Sequence, residues 1–165
     1  MKTLILCRHA KSDWPDGVPD IHRPLKQRGI NDATYLGDIL RSQALRPDLI
    51  ISSPAQRARQ TADIISACIS YPSEVKVEDS VYYEGEEGML RLIHGLPPLA
   101  ETVMVFGHNP TMEDSVGTLL RMGNDFTMPT SGMACLESHQ SSWKYFSASE
   151  PQLRWFLIPR LKRKG

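Results

Sequence analysis

Apolar positions along the chain follow two rhythms. Thr3-Leu4-Ile5-Leu6, Leu49-Ile50-Ile51 and Thr102-Val103-Met104-Val105-Phe106 are short and almost uninterrupted. Such runs suit central strands covered on both faces, where polar alternation has no place. Val75-Lys76-Val77 is a weaker run of the same kind. Near the end, Met133-Ala134-Cys135-Leu136 and Arg154-Trp155-Phe156-Leu157-Ile158 add two further strands, at least one of them antiparallel. Between these runs the period changes to that of a helix. Ile30, Ala33, Leu36 or Gly37, and Leu40 share one face; so do Ala58, Ala62, Ile65 and Ile69, and again Met112, Val116, Leu119 and Leu120. A shorter helix spans Glu86 to His94, with Met89, Leu90 and Ile93 inward. The order β-α-β-α-β-α-β-α-β-β predicts an α/β fold of three layers, with a mostly parallel central sheet flanked by helices.

Two helix starts are signalled locally. Ser53-Pro54-Ala55-Gln56 combines a capping Ser, Pro at the first helical position and Gln three residues on. Asn109-Pro110 follows the 102–106 strand with the same logic. Both helices then begin directly after a strand. Their N-termini and the end of the first strand fall along the carboxyl edge of the sheet, where open parallel sheets hold their ligands.

Composition narrows the function. The 165 residues suit a single domain covering 1–165. Nineteen basic and nineteen acidic residues cancel, which argues against nucleic acid as a partner, since such binders need a basic excess. The tail Arg160-Leu161-Lys162-Arg163-Lys164-Gly165 is read as a solvated end. Cys7, Cys68 and Cys135 are widely spaced and odd in number, which points to reduced thiols in a cytoplasmic protein rather than a disulfide framework or a zinc knuckle. No signal-peptide pattern opens the chain, and no apolar run approaches the roughly 20 residues that cross a bilayer.

The strand at Thr3–Leu6 ends in Cys7-Arg8-His9 rather than in turn residues. Arg57, with Arg59 beside it, lies early in the helix after Ser53, and His108 lies between the 102–106 strand and the next helix. Each alone has an ordinary explanation: a solvent-facing arginine, or a structural histidine. Together, Arg8, His9, Arg57 and His108 are expected to converge on one crevice. A cation at a helix N-terminus is unfavourable unless an anion binds nearby. Arginine forks suit phosphate oxygens, and an imidazole can attack phosphorus to form a labile phosphoimidazole. Two arginines and a second, protonated histidine would neutralise the phosphoryl oxygens without a metal.

Other chemistries fit less well. A cysteine phosphatase needs Cys-x5-Arg, and from Cys7 that position is Asp13. His9, His22, His94, His108 and His139 lack the spacing of a metal site, Asp20-x-His22 being the weak exception. No metal and no cofactor are therefore expected. A phosphate-binding module without catalysis would share the arginines, but has little need of His9.

The stretches CRHAKSDW, HRPLKQRG, SSPAQRARQTA and GHNP, in that order, resemble the histidine phosphatase superfamily, whose fold is phosphoglycerate-mutase-like. Arg8-His9-Ala10-Lys11-Ser12 followed by Trp14 most resembles its SixA-type branch. The resemblance implies a phosphohistidine phosphatase in which His9 accepts the phosphoryl group, Arg8 and Arg57 clamp its oxygens, and His108 adds a fourth contact. The partner would be a phosphate-bearing substrate, such as a phosphohistidine carried on another protein and admitted to an open site. The alternative within the enzymes is a broad phosphatase of small phosphomonoesters. Asn109 is assigned to helix capping. Lys26 stands where many relatives carry a capping Thr. Many members place a carboxylic acid over the site; Glu84, Glu86 and Glu87 are the candidates here, and Glu86 and Glu87 read better as first-turn acids favouring a helix dipole. The loop from Ser12 to Pro24, with Trp14 and Asp20, is a candidate for shaping substrate access. Thr130 and Ser131, in Pro129–Ala134, read as a turn ahead of a strand.

Overall fold

A computed structural model describes residues 1–159; the basic tail lies outside them. Six strands form one sheet: β1 (Lys2–Arg8), β2 (Leu49–Ser52), β3 (Lys76–Val77), β4 (Thr102–Gly107), β5 (Met133–Ser138) and β6 (Gln152–Leu157). Five helices connect them: α1 (Gln27–Ser42), α2 (Gln56–Cys68), α3 (Ser80–Tyr83), α4 (Gly85–His94) and α5 (Thr111–Leu119). The sheet order is β3-β2-β4-β1-β5-β6. The β1–β4, β2–β4 and β2–β3 pairs are parallel. β5 runs antiparallel to both β1 and β6.

The unbroken apolar runs are explained by a core on each face. Alternate strand residues Leu4, Leu6, Ile51, Val103 and Val105 pack with Met89 and Ile93 of α4 and Met112 and Val116 of α5. Their neighbours Ile5, Cys7, Ile50, Met104 and Phe106 pack with Leu36 and Leu40 of α1 and Ala62 and Ile65 of α2. The sheet is thus the middle of three layers, and Cys7 is a core residue. One inward assignment fails: Ile30 is 37% exposed, and Gly29 takes its place on the buried stripe. A Cβ at Gly29 would collide with the carbonyl oxygen of Lys11, so glycine lets the loop after β1 lie directly on α1.

Both helix starts differ from expectation. α2 begins at Gln56 with Ala55 as its N-cap, and Ser53 makes no cap bond to the helix. Its hydroxyl instead accepts from the Ala55 N–H at 3.2 Å, closing a local turn that competes with capping. α5 begins at Thr111 with Pro110 as N-cap. Asn109, in a cis peptide with Pro110, sends its Nδ2 to the Met128 carbonyl at 3.0 Å. Lys26 caps α1 without a side-chain bond, and Glu86 and Glu87 occupy the first turn of α4. Among the described residues no helix is long and apolar enough to cross a membrane.

Candidate active site

The carboxyl edge brings the four polar residues together. Beyond β1, the His9 N–H donates to the Gly107 carbonyl at the end of β4 (2.9 Å), and the His9 carbonyl accepts from Ser131 (3.0 Å). The Ala10 N–H donates to Thr61 Oγ1 (2.9 Å), whose hydroxyl donates to the Arg57 carbonyl (2.7 Å). These bonds tie the end of β1 to α2 and set the ring of His9 beside Arg57. A cleft of about 270 Å³ opens there, lined by Arg8, His9, Arg57 and His108, with Trp14, Arg23 and Thr130 among its other walls. Arg59 is exposed and does not line the cleft.

His9 is 8% exposed. Its Nδ1 lies 2.7 Å from the Ala10 carbonyl, which can only accept; Nδ1 therefore carries the proton and Nε2 the lone pair. Arg57 Nε donates toward that Nε2 at 3.3 Å. Burial, opposed by the Ala10 bond and reinforced by the arginines at 57, 8 and 23, lowers the His9 pKa to about 4. The ring is thus neutral at neutral pH, and its Nε2 lone pair accepts from Arg57.

The His108 ring lies 5.3 Å from that of His9. Its Nε2 is 2.7 Å from Ser53 Oγ, and its Nδ1 is buried without a partner. Ser53 Oγ accepts from Ala55 and keeps a proton that it can donate to His108 Nε2; in that tautomer Nδ1–H is the unpartnered group, a donor for an oxygen in the cleft. Burial, then the proximity of His9 and Arg57, lowers the His108 pKa to about 3. The protonated His108 expected from sequence is therefore not the form favoured at neutral pH: desolvation among cations keeps the ring neutral.

Arg8 donates from NH1 to the Met128 carbonyl at 2.9 Å, and its Nε is buried without a partner. Burial lowers its pKa, against an opposing pull from Glu113. Arg57 donates to the Asp20 carbonyl (2.7 Å) and to Asp20 Oδ2 (3.1 Å). With the contact to His9, three of its five N–H groups are engaged and two remain.

Asp20 is the residue that sequence reasoning left unassigned. Its carboxylate also receives Arg23 NH1 (3.0 Å) and the Tyr82 hydroxyl (2.7 Å). Burial acts to raise its pKa, but the bonds from Tyr82, Arg23 and Arg57 overcome that and hold it well below the usual carboxylate range. The same bond raises the Tyr82 pKa. The Asp20–Arg23 spacing is visible in the chain; Arg57 and Tyr82 lie 37 and 62 residues away, and no local pattern joins them. Glu84 bonds Arg91 at 2.7 Å, and none of Glu84, Glu86 and Glu87 lines the cleft. Thr130 does line it. Ser131 donates its N–H to His9 and takes a positive φ of 65°, so the turn expected ahead of β5 is also part of the wall. Among the described residues no group of three or more His, Cys, Asp or Glu is placed to hold a metal ion.

The family model for the histidine phosphatase superfamily, branch 1, matches residues 4–80. An uncharacterized protein of Mycobacterium tuberculosis is 33% identical over 162 residues, covering 93% of this chain and 99% of that one. The crystal structure of a candidate phosphohistidine phosphatase SixA from Agrobacterium tumefaciens matches with a TM-score of 0.81 and 31% identity, over 96% of this chain and 99% of that one. A second candidate SixA structure, from Nakamurella multipartitia, matches with a TM-score of 0.80 and 27% identity, over 96% of each chain.

Proposed function

The chain belongs to the histidine phosphatase superfamily, in its SixA-type branch, and is a phosphatase; from that premise we propose that it hydrolyses protein phosphohistidine through a covalent intermediate on His9. The observation that carries this reading is the state of His9: neutral, its Nδ1–H held by Ala10, its Nε2 lone pair in a cleft beside Arg57. In the first step Nε2 attacks phosphorus. A P–Nε2 bond forms, the P–N bond to the substrate imidazole breaks, and its electron pair leaves with that nitrogen, which takes a proton from solvent water. In the second step water attacks phosphorus, the P–Nε2 bond breaks, and His9 regains its lone pair as phosphate leaves. Arg8, the two free N–H groups of Arg57 and the Nδ1–H of His108 are the donors for the phosphoryl oxygens.

The surroundings favour a phosphoramidate over an alkyl phosphate. An alkoxide needs a strong general acid, whereas imidazole leaves more readily. Among the described residues no carboxylic acid lines the cleft, and Asp20, held ionised by two arginines and Tyr82, has no proton to give at neutral pH. The test is single-turnover labelling with a 32P-phosphohistidine peptide. Acid-labile label on the wild-type protein, absent from His9→Ala, is expected. Faster turnover of alkyl phosphates than of phosphoramidates would replace this substrate assignment with that of a phosphomonoesterase.

A further inference from the structure

Trp14 stands at the cleft with an uncommon combination of exposure and restraint. It is 72% exposed, and yet its position is held from below. Its backbone N–H donates to Asp13 Oδ1 at 2.9 Å, and the Arg23 guanidinium lies 3.2 Å from the indole ring centroid. Arg23 is only 6% exposed. Its Nε donates to the Asp13 carbonyl (3.0 Å), NH1 to Asp20 Oδ1 (3.0 Å) and NH2 to Ser12 Oγ (2.7 Å). Every nitrogen of the fork is tied, and through Asp20 the fork is tied to Arg57. One face of the indole therefore rests on a fixed cationic plane. The exposure of the residue means that the other face is bare, and the residue lines the same cleft as His9 and Arg57.

In-line displacement puts the leaving group on the side of phosphorus away from the attacking nitrogen. His9 is buried, so that side is the mouth of the cleft, where the indole stands. A bare, immobilised aromatic face stacks on a planar ring and gains little from a flexible alkyl chain. We propose that Trp14 is a specificity-determining residue whose free face stacks on the planar leaving group, the imidazole ring of the phosphohistidine. The loop from Ser12 to Pro24 then selects the substrate by the shape of what leaves. The ring identity rests on the reading above; the preference for a planar leaving group does not.

The experiment compares N-phosphoimidazole with the parent phosphoramidate, two P–N substrates that differ in the presence of a ring. In Trp14→Ala the ratio of their kcat/KM values is expected to fall about fivefold, through KM for the ring substrate, with most of the ratio restored in Trp14→Phe. An unchanged ratio in Trp14→Ala, or a fall that lies wholly in kcat, overturns the proposal. Phenyl phosphate against methyl phosphate forms the second arm. A wild-type enzyme that turns over these esters and not the P–N compounds refutes the phosphohistidine assignment; the role of Trp14 is then decided by whether Trp14→Ala lowers the phenyl-to-methyl ratio.

Discussion

Each end of β1 carries a cation, Lys2 buried and Arg8 half-buried, and the two are treated in opposite ways. At the start, Lys2 is 2% exposed, and its ammonium donates to the carbonyls of Pro98 (2.6 Å) and Ala100 (2.9 Å) beneath the Trp143 ring. Trp143 in turn sends its Nε1–H to the Ala100 carbonyl at 2.7 Å. At the finish, Arg8 has one bond to Met128 and a buried Nε with no partner. The same holds for the groups around it. Of six buried side-chain polar atoms without a partner among the described residues, four belong to Arg8, His108, Asn109 and Ser131, on this edge of the sheet. An unsatisfied buried polar group costs on the order of 1–3 kcal/mol, so a cluster of them is retained only where something else uses it. One end is closed around its charge; the other leaves polar groups unpaired beside the cleft.

The sharpest break of that contrast is His9→Ala. Turnover should fall below detection while phosphate binding, measured calorimetrically, persists on the arginines; turnover at the wild-type rate would remove His9 from the chemistry. Arg57→Ala should raise the barrier by about 2–4 kcal/mol, or roughly 30- to 10³-fold in kcat/KM, and a change under threefold would mean that this guanidinium does not serve the phosphoryl group. Acid should also strike the open end. His9 and His108 have folded pKa values of about 4 and about 3, below their ordinary 6.5. The unfolded chain therefore binds more protons than the folded one between pH 6.5 and those values, and stability falls as pH falls through that window. The loss is on the order of 3–5 kcal/mol per ring at its lower end. Saturating phosphate should shrink it, because a bound anion favours the protonated rings. Urea unfolding at pH 7 and pH 4.5, with and without phosphate, reads this directly, and equal stability at both pH values would refute it.

The closed end should respond in stability alone. Lys2→Met removes both donors and leaves the Pro98 carbonyl unpartnered, with an expected loss of about 1–3 kcal/mol and unaltered kcat/KM. The smallest effect is expected at Ser53→Ala. Loss of its bond to His108 Nε2 frees that ring to take either tautomer, lowering kcat about three- to tenfold, with recovery in Ser53→Thr. No change in kcat would show that the tautomer of His108 has no part in turnover.

Much of this arrangement is legible along the chain. The runs at Leu4–Leu6, Ile50–Ile51 and Val103–Phe106 are buried on both faces, and such strands announce themselves by their lack of polar positions. Arg8, His9, Arg57 and His108 could be placed together because the carboxyl edge of a parallel sheet gathers whatever follows each strand. The local cap signals were less reliable. Ser53 and Asn109 match the capping pattern, but their side chains are drawn into the site, Ser53 toward His108 and Asn109 toward Met128. A capping bond is worth about 1 kcal/mol, and a tertiary partner of similar strength displaces it. Ile30 fits the helical period and still faces outward, because the loop after β1 demands glycine at the position beside it.

Order and chemistry of the elements were thus determined by the sequence: apolar period is a one-dimensional property, and the residues after each strand follow from it. The state of the site was decided only in three dimensions. That both histidines are neutral, that Asp20 grips Arg57, and that Arg23 holds Trp14 at the mouth of the cleft all depend on burial and on partners up to 62 residues apart. Desolvation and charge pairing act through distance in space, and no spacing along the chain encodes them.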